Sequence, residues 1–137
     1  MLIMKKLIAS LCILATLSCN STSGGGYKKA EDAQDAGTLF IRSTLDGDFD
    51  KAAFYLLKDT TNQLLFDKQQ ANYKEMSGKE KSSQKAATIR PVAITTENDS
   101  TTLYKYYQTS NPADTTTLRI VRRQDTWLVD LKSVIKM

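Results

Sequence analysis

The chain has 137 residues, with 19 lysines and arginines against 15 aspartates and glutamates, and no histidine. Without histidine there is no imidazole to bind a metal, shuttle a proton or act as a triad base; acid–base work would fall to Asp, Glu, Lys or Tyr, each with a strongly perturbed pKa. The bases are scattered apart from Lys28-Lys29 and Arg122-Arg123, which makes no stripe for a phosphate backbone, and no nucleic-acid partner is expected.

Lys5 and Lys6 precede an apolar run, Leu7 to Leu17, and then small residues ending at Cys19. This is the layout of an export signal. The run is about half of the ~20 residues a spanning helix needs, so residues 1–18 are expected to be cleaved rather than kept in the bilayer. Thr16-Leu17-Ser18-Cys19 resembles the lipobox of bacterial lipoproteins, whose cysteine takes a diacylglycerol thioether and becomes the first mature residue. It departs from the usual pattern at Thr16, where leucine is commonest; relaxed versions of this kind resemble those of Bacteroidota. The competing reading is an ordinary secretory signal with an incidental Cys19. Cys12 is a poorer acceptor, because bulky Leu11 precedes it inside the apolar run.

With the signal removed, Cys19 is the only cysteine left, and a thioether resolves the problem of a lone thiol in an oxidising compartment. Zinc and thiol chemistry are then excluded as well, and no cofactor is expected. Each buried methylene contributes ~0.8 kcal/mol, so two or three acyl chains hold a protein durably at a lipid bilayer. Residues 19–26 end in Ser23-Gly24-Gly25-Gly26 and read as a flexible tether. The first acids come only at Glu31 and Asp32, and Asn20 follows the cysteine. Both features suit an envelope lipoprotein on the outer membrane facing the periplasm. Losing Lys5 and Lys6 leaves 17 bases and 15 acids, a net charge of +2.

Residues 27–137 suffice for one domain with a single modest core. Ala30, Ala33, Gly37, Phe40 and Ile41 recur at helical spacing and predict a first helix over Tyr27 to Leu45. Gly47 suits the left-handed residue that ends it. Asp48 is a natural N-cap for a second helix, Phe49 to Lys58, with Phe49, Ala52, Ala53 and Leu56 inward. Asp59-Thr60-Thr61 restarts a third, Asn62 to Met76, whose inward face is expected to include Leu65, Phe66, Tyr73 and Met76. Charged, serine-rich Ser77 to Lys85 reads as a mobile loop.

The second half changes period. Thr88–Thr96, Thr101–Thr109, Thr115–Gln124 and Thr126–Val134 are rich in Thr, Val, Ile and Tyr and predict four strands. Asn98-Asp99, Asn111-Pro112-Ala113 and Gln124-Asp125 are the expected turns. On the last strand, Trp127, Val129 and Leu131 share one face, and Leu128, Asp130 and Lys132 the other. Helices followed by an antiparallel meander make an α+β domain with the helices on one sheet face.

Phe40-Ile41-Arg42-Ser43-Thr44-Leu45-Asp46-Gly47-Asp48-Phe49-Asp50-Lys51-Ala52 resembles the helix-turn-helix opening of the nuclear transport factor 2-like (cystatin-like) superfamily. Leu118 to Asp130, with its tight turn before Trp127-Leu128-Val129-Asp130, resembles the closing hairpin of the same domains. The resemblance spans Tyr27 to Val134. It implies a cone, with a curved sheet wrapped on helices and often a pocket at the open end. It also implies that Trp127 fills the sheet–helix interface and that Asp130, on the opposite face, pairs with an Arg or Lys of the neighbouring strand. Lipid-anchored versions are common in Bacteroidota, and homodimers through the sheet are frequent in the superfamily.

Some members of that superfamily are enzymes, including ketosteroid isomerase and polyketide cyclases, which place a carboxylate base and hydroxyl donors in an apolar pocket. Here the candidates are Tyr104, Tyr106, Asp114 and Asp130, with Tyr104 and Tyr106 on one strand face and Tyr107 on the other. Their motifs have no positional match to those enzymes. The expectation is a non-catalytic binding domain, with Tyr104, Tyr106 and Asp130 as candidate contacts for an envelope protein or a small hydrophobic ligand. A protein partner on the exposed sheet has a slight preference, since Tyr and Arg favour interfaces. An isomerase- or cyclase-like enzyme is the alternative, and an immunity or inhibitor protein a third reading.

Overall fold

The computed structural model describes residues 26–134, so the expected signal peptide, Cys19 and most of the expected tether lie outside the described residues. Four helices, α1 (Ala33–Asp46), α2 (Phe49–Phe54), α3 (Thr60–Glu75) and α4 (Gly78–Ala86), are followed by strands β1 (Ile89–Asn98), β2 (Thr101–Gln108), β3 (Asn111–Arg123) and β4 (Thr126–Asp130). A 3₁₀ turn, Leu131–Ser133, closes the described chain. The strands form an antiparallel sheet in the order β1-β2-β3-β4, with the helices packed against it: an α+β domain.

Local chemistry sets the helix ends. Asp32, not Tyr27, starts α1: its carboxylate accepts the Asp35 amide at 2.7 Å, and residues 27–32 stay outside the helix. The α1 axis ends at Gly47, whose φ of 76° is the left-handed conformation that glycine adopts without a Cβ penalty. Asp48 then caps α2, accepting the Lys51 amide at 3.1 Å. The second helix stops at Phe54 rather than Lys58, because the next residues pair with the sheet. Val129 donates its amide to the Tyr55 carbonyl at 2.7 Å, and Leu57 donates to the Val129 carbonyl at 2.9 Å. This short parallel bridge covers the β4 edge.

Residues 77–85 are helical, not a loop. Ser77 accepts the Glu80 amide and Glu80 accepts the Ser77 amide, a reciprocal capping box at the start of α4. No α4 residue is buried. The helix is held instead at its C-terminal end by Arg42 of α1, which donates to the carbonyls of Ala87 at 2.6 Å and Lys85 at 3.0 Å.

All three hairpins turn on two residues: Asp99-Ser100, Thr109-Ser110 and Gln124-Asp125. In the last of these both φ values are positive, 49° and 59°, as a twisted hairpin requires. The expected turn at Asn111-Pro112-Ala113 lies instead within β3. Tyr107 pairs Thr115 while Gln108 pairs Asn111, so Pro112 sits in an irregular stretch where no ladder amide is needed.

The core lies between α1 and the inner sheet face. Phe40, Ile41 and Leu45 of α1 meet Tyr104, Leu118, Ile120 and Val129 of the strands. Close approach depends on Gly37: a Cβ there would fall 2.5 Å from the Tyr104 ring and 2.8 Å from Ile120 Cδ1. An aromatic chain continues outward, with Phe66 6.1 Å from Phe40 and 5.6 Å from Phe49, and Phe49 5.4 Å from Tyr73. Trp127 is only half-buried; it packs on the core from the margin, with the Arg122 guanidinium 5.9 Å from its ring centroid.

Candidate functional site

Tyr104 and Tyr106 share the inner sheet face, as the alternation predicts, and both are buried there. Their rings stack at 5.7 Å. They therefore belong to the core side, and the outer face carries Arg90, Thr95, Lys105, Thr115, Thr117 and Arg119 with Tyr107 as its tyrosine. The two buried tyrosines differ in surroundings. Tyr104 lies within 3.3 Å of the Thr38 hydroxyl under α1. Tyr106 lies one strand pair further along, in the wall of a cleft of about 630 Å³.

The cleft is built from α1, α3 and strands β2 and β3. Its floor is mostly apolar, with Phe40, Ile41, Leu118 and Leu131, and the hydroxyl-bearing Tyr106, Thr44 and Thr116 beside them. Burial pushes the Tyr106 hydroxyl up to about 12, against the smaller opposing effect of hydrogen bonds with Gln108 and Thr116. Tyr106 thus stays a neutral donor at physiological pH. Its volume lies within the range of small-ligand sites, about 300–1,000 Å³. Among the described residues its wall contains no aspartate or glutamate.

The opposite wall comes from α3. Leu65, Lys68, Gln69 and Asn72 face the cleft at the i, i+3, i+4, i+7 spacing of one helix stripe. Leu65 was expected inside the core; it is 39 % exposed and forms the lip instead. Phe66 alone anchors the middle of this helix as an apolar group, with Asn62 the other buried α3 residue.

Asp130 is not in the cleft. It lies on the outer sheet face at the β4 end, opposite Arg119 in register, and is 6 % exposed. Its partner is not the Arg or Lys of the neighbouring strand. The carboxylate accepts from Asn62 Nδ2 at 3.2 Å and from the Lys132 amide at 3.1 Å, while Lys132 Nζ lies 3.8 Å away. Asn62 is fully buried, and its carbonyl oxygen accepts the Leu131 amide at 2.7 Å. Asp59 adds a bond to Asn62 Nδ2 and pairs with Lys132. The amide of Asn62 and the ammonium of Lys132 hold the Asp59 carboxyl below its usual range. Asp130 therefore works as a clasp that ties the start of α3 to the end of β4. Sequence reasoning missed Asn62, which reads as an ordinary polar residue at a helix start.

Of the three candidate contacts in the domain, only Tyr106 reaches the cleft, and the structure does not bring Asp130 to it. Cys19 lies outside the described residues. Among the described residues no helix is long and apolar enough to cross a membrane, and no cluster of acidic or cysteine side chains could hold a metal ion. Comparison with protein families, curated proteins and solved structures finds no match to this chain.

Proposed function

We propose that this protein is a bacterial envelope lipoprotein, anchored through acylated Cys19, whose nuclear transport factor 2-like domain binds a small hydrophobic ligand without catalysis. The cleft under α3 carries the reading: it joins an apolar floor to a neutral tyrosine hydroxyl in a volume suited to a small molecule. Isomerase-like chemistry would need a carboxylate base beside the donor; the described lining holds none, and Asp114 acts on Tyr106 from outside it. The anchor rests on the sequence from Lys5 to Cys19.

One observation favours a protein partner or a second copy as another reading. Strand β1 is exposed along nearly its whole length, its outer edge is unpaired, and Val92 and Ile94 are uncovered. Pro91 and two register shifts work against strand addition there.

Metabolic labelling with a palmitate analogue, compared between the native chain and Cys19→Ser, tests the anchor. Label and membrane partition should both disappear in the variant. Unchanged partition contradicts the assignment. Mass spectrometry of small molecules and crosslinked proteins retained on the protein from intact cells then separates ligand from protein partner.

A further inference from the structure

The α3 stripe facing the cleft is polar where a packed helix would be apolar. Lys68, Gln69 and Asn72 stand over Phe40, Ile41 and Leu118. A helix that closed fully onto that floor would strand three polar groups against hydrocarbon, at about 1–3 kcal/mol for each unsatisfied group. The arrangement suits an occupant that is itself two-faced.

Lys68 gives the polar end its sign. Its helix neighbours at three and four residues are Leu64, Leu65, Ala71 and Asn72, so no acid is placed to neutralise it. It forms no ion pair with a described carboxylate, and it is the charged residue among those lining the cleft. The neighbouring acid on α3, Asp67, accepts from Gln63 at 2.8 Å on the far side of the stripe. The cation in the cleft wall therefore lies at its α3 lip.

We infer that the cleft takes a single-chain amphiphile with an anionic head. Its tail lies along Phe40, Ile41 and Leu118, and its head, a carboxylate or a phosphate monoester, meets Lys68 with the amides of Gln69 and Asn72 as further donors. The inference rests on reading the cleft as a ligand site. It adds the charge of the ligand and its direction of entry, with the tail inward and the head at α3.

The test uses the mature protein from residue 19, carrying Cys19→Ser so that no detergent is needed. Dodecanoate, dodecyl phosphate, dodecanol and dodecylamine, each below its micelle concentration or, for dodecanol, its aqueous solubility, are titrated calorimetrically. Both anions should bind about three- to tenfold more tightly than dodecanol, the range of a partly exposed ion pair, and dodecylamine most weakly. Lys68→Gln should bring both anions down to the level of dodecanol; Lys68→Glu should reverse the preference. Leu65→Trp, which fills the lip from an exposed position, should weaken all four. A stronger response to the carboxylate assigns free fatty acids as the source, and a stronger response to the phosphate assigns phospholipid-derived heads. Equal binding of all four, or a preference that survives Lys68→Gln, overturns the head-group inference and leaves the cleft reading standing. No binding by any of them overturns both.

Discussion

The first and third helices are nearly equal in length but are held in opposite ways. In α1, eight of fourteen residues are buried, and the helix lies directly on the sheet through Gly37, Phe40 and Ile41. In α3, only Asn62 and Phe66 of sixteen residues are buried. It is clasped at its start by the Asp59–Asn62–Asp130 network and touches the core through Phe66 and, near its end, Tyr73, while the stripe of Leu65, Lys68, Gln69 and Asn72 stands over the cleft. Tertiary burial stabilises α1; capping and helix propensity carry much of α3. The lesson is that a helix held at a few separate points leaves room beneath the stripe between them.

The comparison predicts unequal responses to mutation, readable by denaturant melts. Phe40→Ala should cost about 3–5 kcal/mol as a core truncation. Leu64→Ala, at a residue 65 % exposed on α3, should stay within about 0.5 kcal/mol. Equal losses would break the contrast. Asn62→Ala comes next, at about 2–3 kcal/mol, because it leaves the Asp130 carboxylate and the Leu131 amide without their buried partner. Glycine and alanine should then exchange roles. Gly37→Ala should destabilise by about 1–2 kcal/mol, the overlap with Tyr104 and Ile120 outweighing better helix propensity. Ala71→Gly, on the exposed side of α3, should cost up to about 1 kcal/mol through propensity alone.

The smallest effects are those of pH. Asp59 has a lowered pKa in the folded chain. Its contribution is present above the ordinary carboxylate range and is lost as pH falls through the folded value, so α3 should loosen first in acid. Amide exchange of residues 60–66 below pH 4 checks this. Tyr106 behaves the other way. Its pKa rises from 10.0 to about 12, so its contribution is complete below pH 10 and is lost between pH 10 and about 12. Tyr27 and Tyr55 are also raised, so phenolate absorbance should show several tyrosines titrating above the ordinary range, and Tyr106→Phe should remove the component near pH 12.

Much of the architecture was legible because it is written in local chemistry. Gly47 and Asp48 mark the α1–α2 junction, and Thr- and Val-rich segments mark the four strands. The fourth helix was not read, since hydrophobic periodicity is silent for an element with no buried face. The Ser77-x-x-Glu80 spacing was the signal available. The end of α2 was hidden because its cause, Val129, lies some seventy residues away in the sequence. Tyr104 and Tyr106 were correctly placed on one face, but which face met the helices is set by packing. The cleft was the least legible feature. Lys68, Gln69 and Asn72 look like a solvated helix side until the apolar floor is seen beneath them. Asp130 looked like a surface pair and is a buried clasp, because its partner Asn62 comes from another element.

The central claim is that the space between α3 and the sheet is a ligand site, and amide chemical-shift mapping tests it most directly. On titration of the isotope-labelled chain from residue 19, carrying Cys19→Ser, with dodecanoate, the largest shifts should fall on Ile41, Leu65, Lys68 and Leu118, and saturate together. Shifts gathered on β1, or none that saturate, would contradict it.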